Sequence, residues 1–197
     1  IDENVGKLMN GLKETGLDND TLVIFMSDNG HSKKRIWKSN AGQKGAKISP
    51  YQGGIRVPCF FRWPGKIKAG NDISQLSAHI DILPTLAELC GAEIPVGAKV
   101  EGISLMPLLR KSDSTWPQRT FYTHKGRWNT GTPVKFGGSA IRMGDFKLVG
   151  NNKLYNISED PLESNNLFSS KPEIAKKLLL KYDKWWDSVQ QDIKIND

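Results

Sequence analysis

A short apolar run that ends in a polar loop constrains the fold of this chain more than any other feature. Residues 22–26 are Leu-Val-Ile-Phe-Met, and Ser-Asp-Asn-Gly follows at residues 27–30. Branched and aromatic side chains in a run of this length are typical of a buried parallel strand. Open α/β sheets bind their ligands at the carboxyl ends of such strands. The pattern therefore predicts an α/β protein with a ligand site in the loop.

Asp28 and Asn29 are the residues of this loop with the clearest chemistry. A carboxylate beside an amide carbonyl offers two hard oxygen ligands, which suit Ca²⁺ or Mg²⁺. A second interpretation is an Asx turn that ends in Gly30 and has no functional role. The loop by itself leaves both interpretations open.

A second motif begins fifteen residues after Gly30 and, together with the loop, resembles one family. Residues 45–58 read Gly-Ala-Lys-Ile-Ser-Pro-Tyr-Gln-Gly-Gly-Ile-Arg-Val-Pro. They resemble the Gly-x-Lys-x-x-x-Tyr-Glu-Gly-Gly-x-Arg-x-Pro signature of the type I (formylglycine-dependent) sulfatases, with Gln52 in place of the usual Glu. Further segments similar to that family follow its order along almost the whole chain, at residues 4–8, 16–25, 61–65, 79–86, 102–105, 141–148, 154–157 and 160–163.

The resemblance implies an α/β, alkaline phosphatase-like fold. Residues 1–115 would be the C-terminal portion of the large α/β domain, and residues 116–197 a small subdomain with an antiparallel sheet and a packed helix. The residue patterns agree with this division, because short strand candidates occupy residues 120–123, 139–143, 147–149 and 153–156. Gly-Asp and Asn-Asn between them are typical hairpin turns. A terminal helix is predicted from Pro172, with an apolar stripe of Ile174, Leu178, Tyr182 and Trp185.

In the first 115 residues, the sequence predicts two helices and a second strand. Asp2 is the predicted N-cap of a helix that ends at Gly16. Residues 56–62 are a second predicted strand. Asp81 precedes another helix-period apolar stripe, and we expect His79 and Asp81 to cap and brace that helix.

The resemblance assigns the central chemistry to three residues. Lys47 lies six residues before Gly53, the spacing of the family's sulfate-binding lysine, and is the predicted catalytic residue; Lys44 is the competing candidate. Asp28 and Asn29 would supply two ligands of a Ca²⁺ or Mg²⁺ ion. The other ligands would come from an N-terminal part that this chain lacks.

Three further residues are predicted to bind substrate. His31 follows the metal loop and could touch the leaving group or sugar, although a solvent-exposed loop histidine is an equal alternative. His124 and Arg127 resemble the region in which sulfatases recognise their substrates, and such loops vary between relatives.

The family's nucleophile is missing from the sequence. Formylglycine arises from the first residue of Cys/Ser-x-Pro-x-Arg, and neither Cys59 nor Cys90 begins such a motif. Residues 115–119, Thr-Trp-Pro-Gln-Arg, are the nearest match, but threonine would oxidise to a ketone. We therefore expect the C-terminal part of a sulfatase, with formylglycine in the missing N-terminal part, that is inactive alone. The two cysteines are predicted to be buried thiols and not a disulfide.

The charge of the chain favours an anionic partner. Its net charge is +7, and residues 31–68 contain ten Lys or Arg and no Asp or Glu. Such a segment attracts anionic substrates, and an ordinary solvated loop is the alternative. Sparse aromatic interleaving argues against nucleic acid, and no apolar run is long enough to span a membrane. The expected partners are a sulfated small molecule or sulfated glycan and the missing N-terminal part, and the resemblance implies a periplasmic or secreted protein.

The predicted function is therefore hydrolysis of sulfate esters by metal-assisted nucleophilic catalysis, with this chain carrying part of the metal and sulfate site. Two alternatives remain. One is a non-catalytic module that binds sulfated glycans through its basic loop, and the other is a phosphate or phosphonate ester hydrolase of the same superfamily.

Overall fold

The computed structural model describes residues 1–32, 40–111, 115–126 and 133–195, with side chains up to residue 191. Its residues form two compact units. The first contains Ile1–Met26 and Pro58–Pro117, and the second contains Ser27–Val57 and Gln118–Asp197. Residues 27–57, which carry the predicted metal loop and Lys47, therefore pack with C-terminal residues. The predicted domain bounds, residues 1–115 and 116–197, remain a prediction.

The first unit begins with helix α1 (Asp2–Glu14). Its N-cap is Ile1, so the prediction of Asp2 as N-cap is wrong by one residue. Asp2 and Glu3 instead lie in the first turn, where negative charge stabilises the helix dipole. Gly16, predicted as the end, follows the helix with φ of +72°, the left-handed conformation that closes many helices.

Two short strands of the first unit pair with each other. Strand β1 (Val23–Met26) and strand β2 (Cys59–Arg62) are antiparallel, with Val23 opposite Arg62. The prediction of a buried parallel strand at residues 22–26 is therefore wrong within the described residues, and Phe25 is 38% exposed. A short apolar run encodes a strand but not its direction, because the direction depends on the partner strand.

Asp81 braces the start of the next helix, as predicted. It ends a short 3₁₀ turn (His79–Asp81) and is the N-cap residue of helix α3 (Ile82–Cys90), without a side-chain hydrogen bond to that helix. Its buried carboxylate accepts hydrogen bonds from the amides of Ala78 at 2.8 Å and Ile103 at 3.0 Å. Helix α4 (Met106–Arg110) follows, and its apolar residues form the core of the unit with Leu105.

The second unit contains the predicted antiparallel sheet and helix. The strands are β3 (Thr120–His124), β4 (Ser139–Met143), β5 (Phe146–Val149) and β6 (Lys153–Asn156), hydrogen-bonded in chain order. Helix α5 (Pro172–Ile195) packs its apolar stripe on this sheet around Ile141, Leu148 and Leu154. A one-turn helix, α2 (Gln52–Ile55), contains the Gly-Gly pair. The predicted antiparallel sheet with a packed helix is confirmed.

Both cysteines are free thiols, as predicted, but both are exposed. The expectation that they are buried is wrong, because Cys59 lies on a two-stranded ribbon and Cys90 ends α3. None of the described helices has both the length and the apolar character needed to cross a bilayer.

Candidate active site

Two backbone hydrogen bonds join the loop at residues 27–32 to the segment at residues 44–54. The amide of Gly30 donates to the carbonyl of Gly54 at 2.9 Å, and the amide of Lys47 donates to the carbonyl of His31 at 2.8 Å. In the first segment the contacts lie directly after the predicted metal ligands, and in the second segment one of them is made by the backbone of the predicted catalytic lysine. The two sequence motifs therefore form one local structure.

Glycine is required where these segments meet. A Cβ atom at Gly30 would overlap the carbonyl oxygen of Gly53, and one at Gly54 would overlap the carbonyl oxygen of Ser49. Both obstacles are backbone atoms, which cannot move aside as a flexible side chain can. Gly30 thus permits the close approach of the two segments, and Gly54 permits the tight packing of residues 46–54 on themselves.

The predicted metal ligands lie at the surface of this structure. Asp28 is exposed and Asn29 is half-buried, and the hydroxyl of Ser27 donates to the carbonyl of Asn29 at 2.9 Å. The carboxylate and amide oxygens suit a hard cation, but Ca²⁺ takes six to eight oxygen ligands. Within the described ranges, no group of three or more His, Cys, Asp or Glu side chains could hold a metal ion. Asp28 and Asn29 can therefore be only part of a coordination sphere.

The two candidate lysines have different contacts. Both side chains are exposed, but the ammonium of Lys44 donates to the Tyr155 hydroxyl at 3.3 Å and to the Glu163 carbonyl at 3.0 Å. The Lys44 ammonium also lies 4.8 Å from the ring centroid of Tyr51 and 5.2 Å from that of Tyr155, which is cation–π range. Lys44 is therefore occupied in holding its own segment.

A fully buried ion pair lies behind this segment. The ammonium of Lys147 on β5 lies 2.8 Å from Oε1 of Glu163, and neither side chain is exposed to solvent. Burial lowers the pKa of Lys147 to about 8, although the charge of Glu163 opposes that shift. The other carboxylate oxygen of Glu163 accepts a 2.7 Å hydrogen bond from the amide of Gln52.

The predicted substrate-binding residues fall in different places. The Nδ1 atom of His31 lies 2.7 Å from the Ser32 carbonyl oxygen. His124 ends β3, where its Nδ1 accepts from the Gly126 amide at 3.1 Å and its Nε2 lies 3.0 Å from the Val134 carbonyl oxygen. These two contacts fit the neutral ring with the proton on Nε2. Arg127 lies outside the described residues.

Sequence reasoning missed the buried ion pair. The segment at residues 160–163 resembled the family, but it had no predicted role, and Lys147 was assigned only to a strand. A lysine in a strand and an acidic residue after a Pro-containing turn are both common. Neither one predicts an ion pair with a residue sixteen positions away. The pairing becomes visible only once the sheet has placed both side chains in one interior.

Comparison with known proteins gives one consistent family. Residues 1–92 match the family model described as Sulfatase. The chain is 33% identical to human steryl-sulfatase over 201 residues, which cover 85% of this chain and 34% of that protein. It is also 33% identical to N-acetylglucosamine-6-O-sulfatase from Bacteroides thetaiotaomicron, over 90% of this chain and 31% of the relative. The chain thus spans about a third of the length of these curated relatives.

Solved structures agree with the curated relatives. The crystal structure of Ps i-CgsB in complex with k-i-k-neocarrahexaose superimposes with a TM-score of 0.81 at 31% identity. The match covers 93% of this chain and 40% of that one. The predicted alkaline phosphatase-like α/β fold is confirmed.

Proposed function

This chain belongs to the sulfatase family, and on that premise we propose that it is the C-terminal part of an enzyme that hydrolyses sulfate esters. The observation that carries the proposal is the pair of hydrogen bonds from Gly30 to Gly54 and from Lys47 to His31. They hold an oxygen-rich loop against a segment that bears an exposed lysine. The nucleophile and the remaining metal ligands would belong to a part of the enzyme outside residues 1–197.

Each predicted residue has a distinct role in the proposed site. Asp28 and Asn29 would hold a divalent cation, Ca²⁺ or Mg²⁺, through one carboxylate and one amide oxygen. That cation, when bound, offsets negative charge on the sulfate ester. Lys47 would donate a hydrogen bond to a sulfate oxygen and stabilise charge on the leaving oxygen. Lys47 is suited to this role because its exposed side chain is available to a substrate.

A sulfated glycan is the proposed substrate class. The Bacteroides relative is named as a sulfatase of N-acetylglucosamine, and residues 31–68 of this sequence contain ten Lys or Arg and no Asp or Glu. His31, His124 and Arg127 would contact the sugar or its leaving group. A positive field of this kind raises the local concentration of a polyanionic substrate.

Activity assays on two preparations test the proposal. The protein produced from its complete coding sequence should hydrolyse an aryl sulfate in the presence of Ca²⁺, and residues 1–197 alone should not. Hydrolysis of a phosphate ester in place of a sulfate ester would assign the protein to the other chemistry of the superfamily. Tight binding of heparin without turnover of either ester would favour a non-catalytic binding module.

A further inference from the structure

Glu163 contacts the segment that carries Lys47 at both ends. Its Oε2 accepts the amide of Gln52 at 2.7 Å, and its backbone carbonyl accepts the ammonium of Lys44 at 3.0 Å. The amide of Gly53 then donates to the carbonyl of Lys44 at 2.8 Å, so the ends of the segment are also tied to each other. One residue thus holds both sides of the loop.

The loop between these ends is strained next to Lys47. The amide of Ser49 donates to the carbonyl of Ala46 at 2.8 Å, which makes residues 46–49 a tight turn. Ile48 in this turn has φ of +73°, a conformation that β-branched residues rarely adopt. Such a backbone persists only where its surroundings hold it, and strain of this kind clusters at functional sites. The anchors at Lys44 and Gln52 therefore hold the two ends of the turn, and the hydrogen bond from Lys47 to His31 holds its middle.

Lys147 fixes the orientation of the Glu163 carboxylate. It lies on β5, between β4 and β6, and its ammonium is 2.8 Å from Oε1. That contact leaves Oε2 directed at Gln52. A buried ion pair is poor at stabilising a fold, because desolvation offsets its attraction and apolar residues of similar volume are often as stable. Stability alone does not account for this pair, whereas holding a strained loop does.

We propose that Glu163, held by Lys147, is a positioning residue that sets the location of the Lys47 ammonium through Gln52 and Lys44. The inference rests on the proposed function of Lys47 but concerns a different residue. Neither Glu163 nor Lys147 touches substrate, since both are fully buried. The effect of Glu163 on the position of Lys47 is instead transmitted through the backbone of residues 44–52.

Two matched double variants isolate the contact to Gln52. Glu163→Gln with Lys147→Met removes both charges but keeps a carbonyl oxygen that can accept the Gln52 amide. Glu163→Leu with Lys147→Met removes the charges and the acceptor together. Amide hydrogen exchange in residues 1–197 should be at least about 10-fold faster at Gln52 and Lys47 in the Leu variant than in the Gln variant, since a lost hydrogen bond opens the amide locally. The core amide of Ile141 on β4 is the reference.

A second pair of variants does not alter the buried ion pair. Gln52→Pro deletes only the amide donor relative to Gln52→Ala, because residue 52 is the first residue of α2, and Tyr51 before it is already extended (φ −76°, ψ 164°). In the enzyme from the complete coding sequence, Gln52→Pro should lower kcat about 10- to 100-fold relative to Gln52→Ala with little change in KM, as a displaced catalytic group does.

The outcomes separate the two proposals. Faster exchange confined to residues 44–54, with the kcat loss, supports the positioning role. Unchanged exchange at Gln52 and Lys47, or equal acceleration at Ile141, would overturn it even in an active enzyme. A complete protein without sulfatase activity would instead overturn the proposed function, whatever the exchange rates show.

Discussion

The amide of Lys47 donates a 2.8 Å hydrogen bond to the carbonyl of His31, so the predicted catalytic lysine is tied by its backbone to the residue that follows the predicted metal loop. Its side chain remains exposed. This arrangement fixes the backbone of the lysine while leaving its ammonium available, which a group that binds a sulfate oxygen requires.

The two candidate lysines should respond differently to removal. Lys47→Ala should lower turnover of the complete enzyme by about 10²–10³, the loss typical of one fixed electrostatic donor, without changing stability. Lys44→Ala should lower turnover far less, but it should reduce the free energy of unfolding by about 1–2 kcal/mol, because its hydrogen bonds and cation–π contacts are lost. Steady-state kinetics and urea unfolding measure the two effects. A larger turnover loss at Lys44 would mean that the sulfate contact belongs to that lysine.

Asp28→Ala should abolish most of the activity by removing a charged metal ligand. We expect weaker Ca²⁺ binding by calorimetry in the complete enzyme and little change in its melting temperature at saturating Ca²⁺. Asp72→Ala is the matched control, since Asp72 is also an exposed aspartate in a loop. Equal Ca²⁺ affinity in the two variants would contradict the assignment of Asp28 as a ligand.

Gly30→Ala should disrupt the junction of the two loops. The added methyl group would overlap the Gly53 carbonyl, so the loops must separate and activity should fall with stability. Gly6→Ala is the control, because a Cβ there meets no atom within 4 Å and alanine favours helix α1 by roughly 0.5–1 kcal/mol. The two melting temperatures should therefore move in opposite directions. A neutral Gly30→Ala would show that the close approach is not required.

The buried Lys147 should give the stability of the chain an alkaline pH dependence. Its pKa is lowered from 10.5 to about 8 in the folded state, mainly by burial, while the charge of Glu163 raises it and that of Arg142 lowers it further. Between these pH values the unfolded chain binds more protons, so this group makes the folded state more stable as pH rises. The contribution is complete above pH 10.5 and lost as pH falls through 8, and it amounts to roughly 3 kcal/mol.

Urea unfolding across that pH range measures this contribution. The double variant Glu163→Gln with Lys147→Met lacks both charges, so its stability should lack the component that rises with pH. Subtracting its profile from that of the unaltered chain isolates the titration of the pair. Parallel profiles in the two proteins would show that Lys147 keeps an ordinary pKa in the folded state.

Local sequence signals determined the elements of the C-terminal sheet. Strands β4 and β6 begin and end where alternation and the turn dipeptides predicted, and α5 begins at Pro172. Short-range patterns suffice here because hairpin turns set both the direction and the register of neighbouring strands. The motif at residues 45–58 likewise identified the segment and the family before any coordinates.

Tertiary structure decided what depends on partners far apart in the chain. Strand β1 pairs in the antiparallel direction with β2, which begins thirty-six residues after the start of β1. No local pattern predicts that pairing. Lys44 and Lys47 are equivalent as residue types in a basic segment, yet only the fold brings Tyr155 and Glu163 to Lys44. The ion pair of Lys147 and Glu163 arises in the same way, since burial and the position of a partner are properties of packing. The sequence determined which residues are candidates for the chemistry, and the packing of the chain decided which of them are held by other groups and which have exposed side chains.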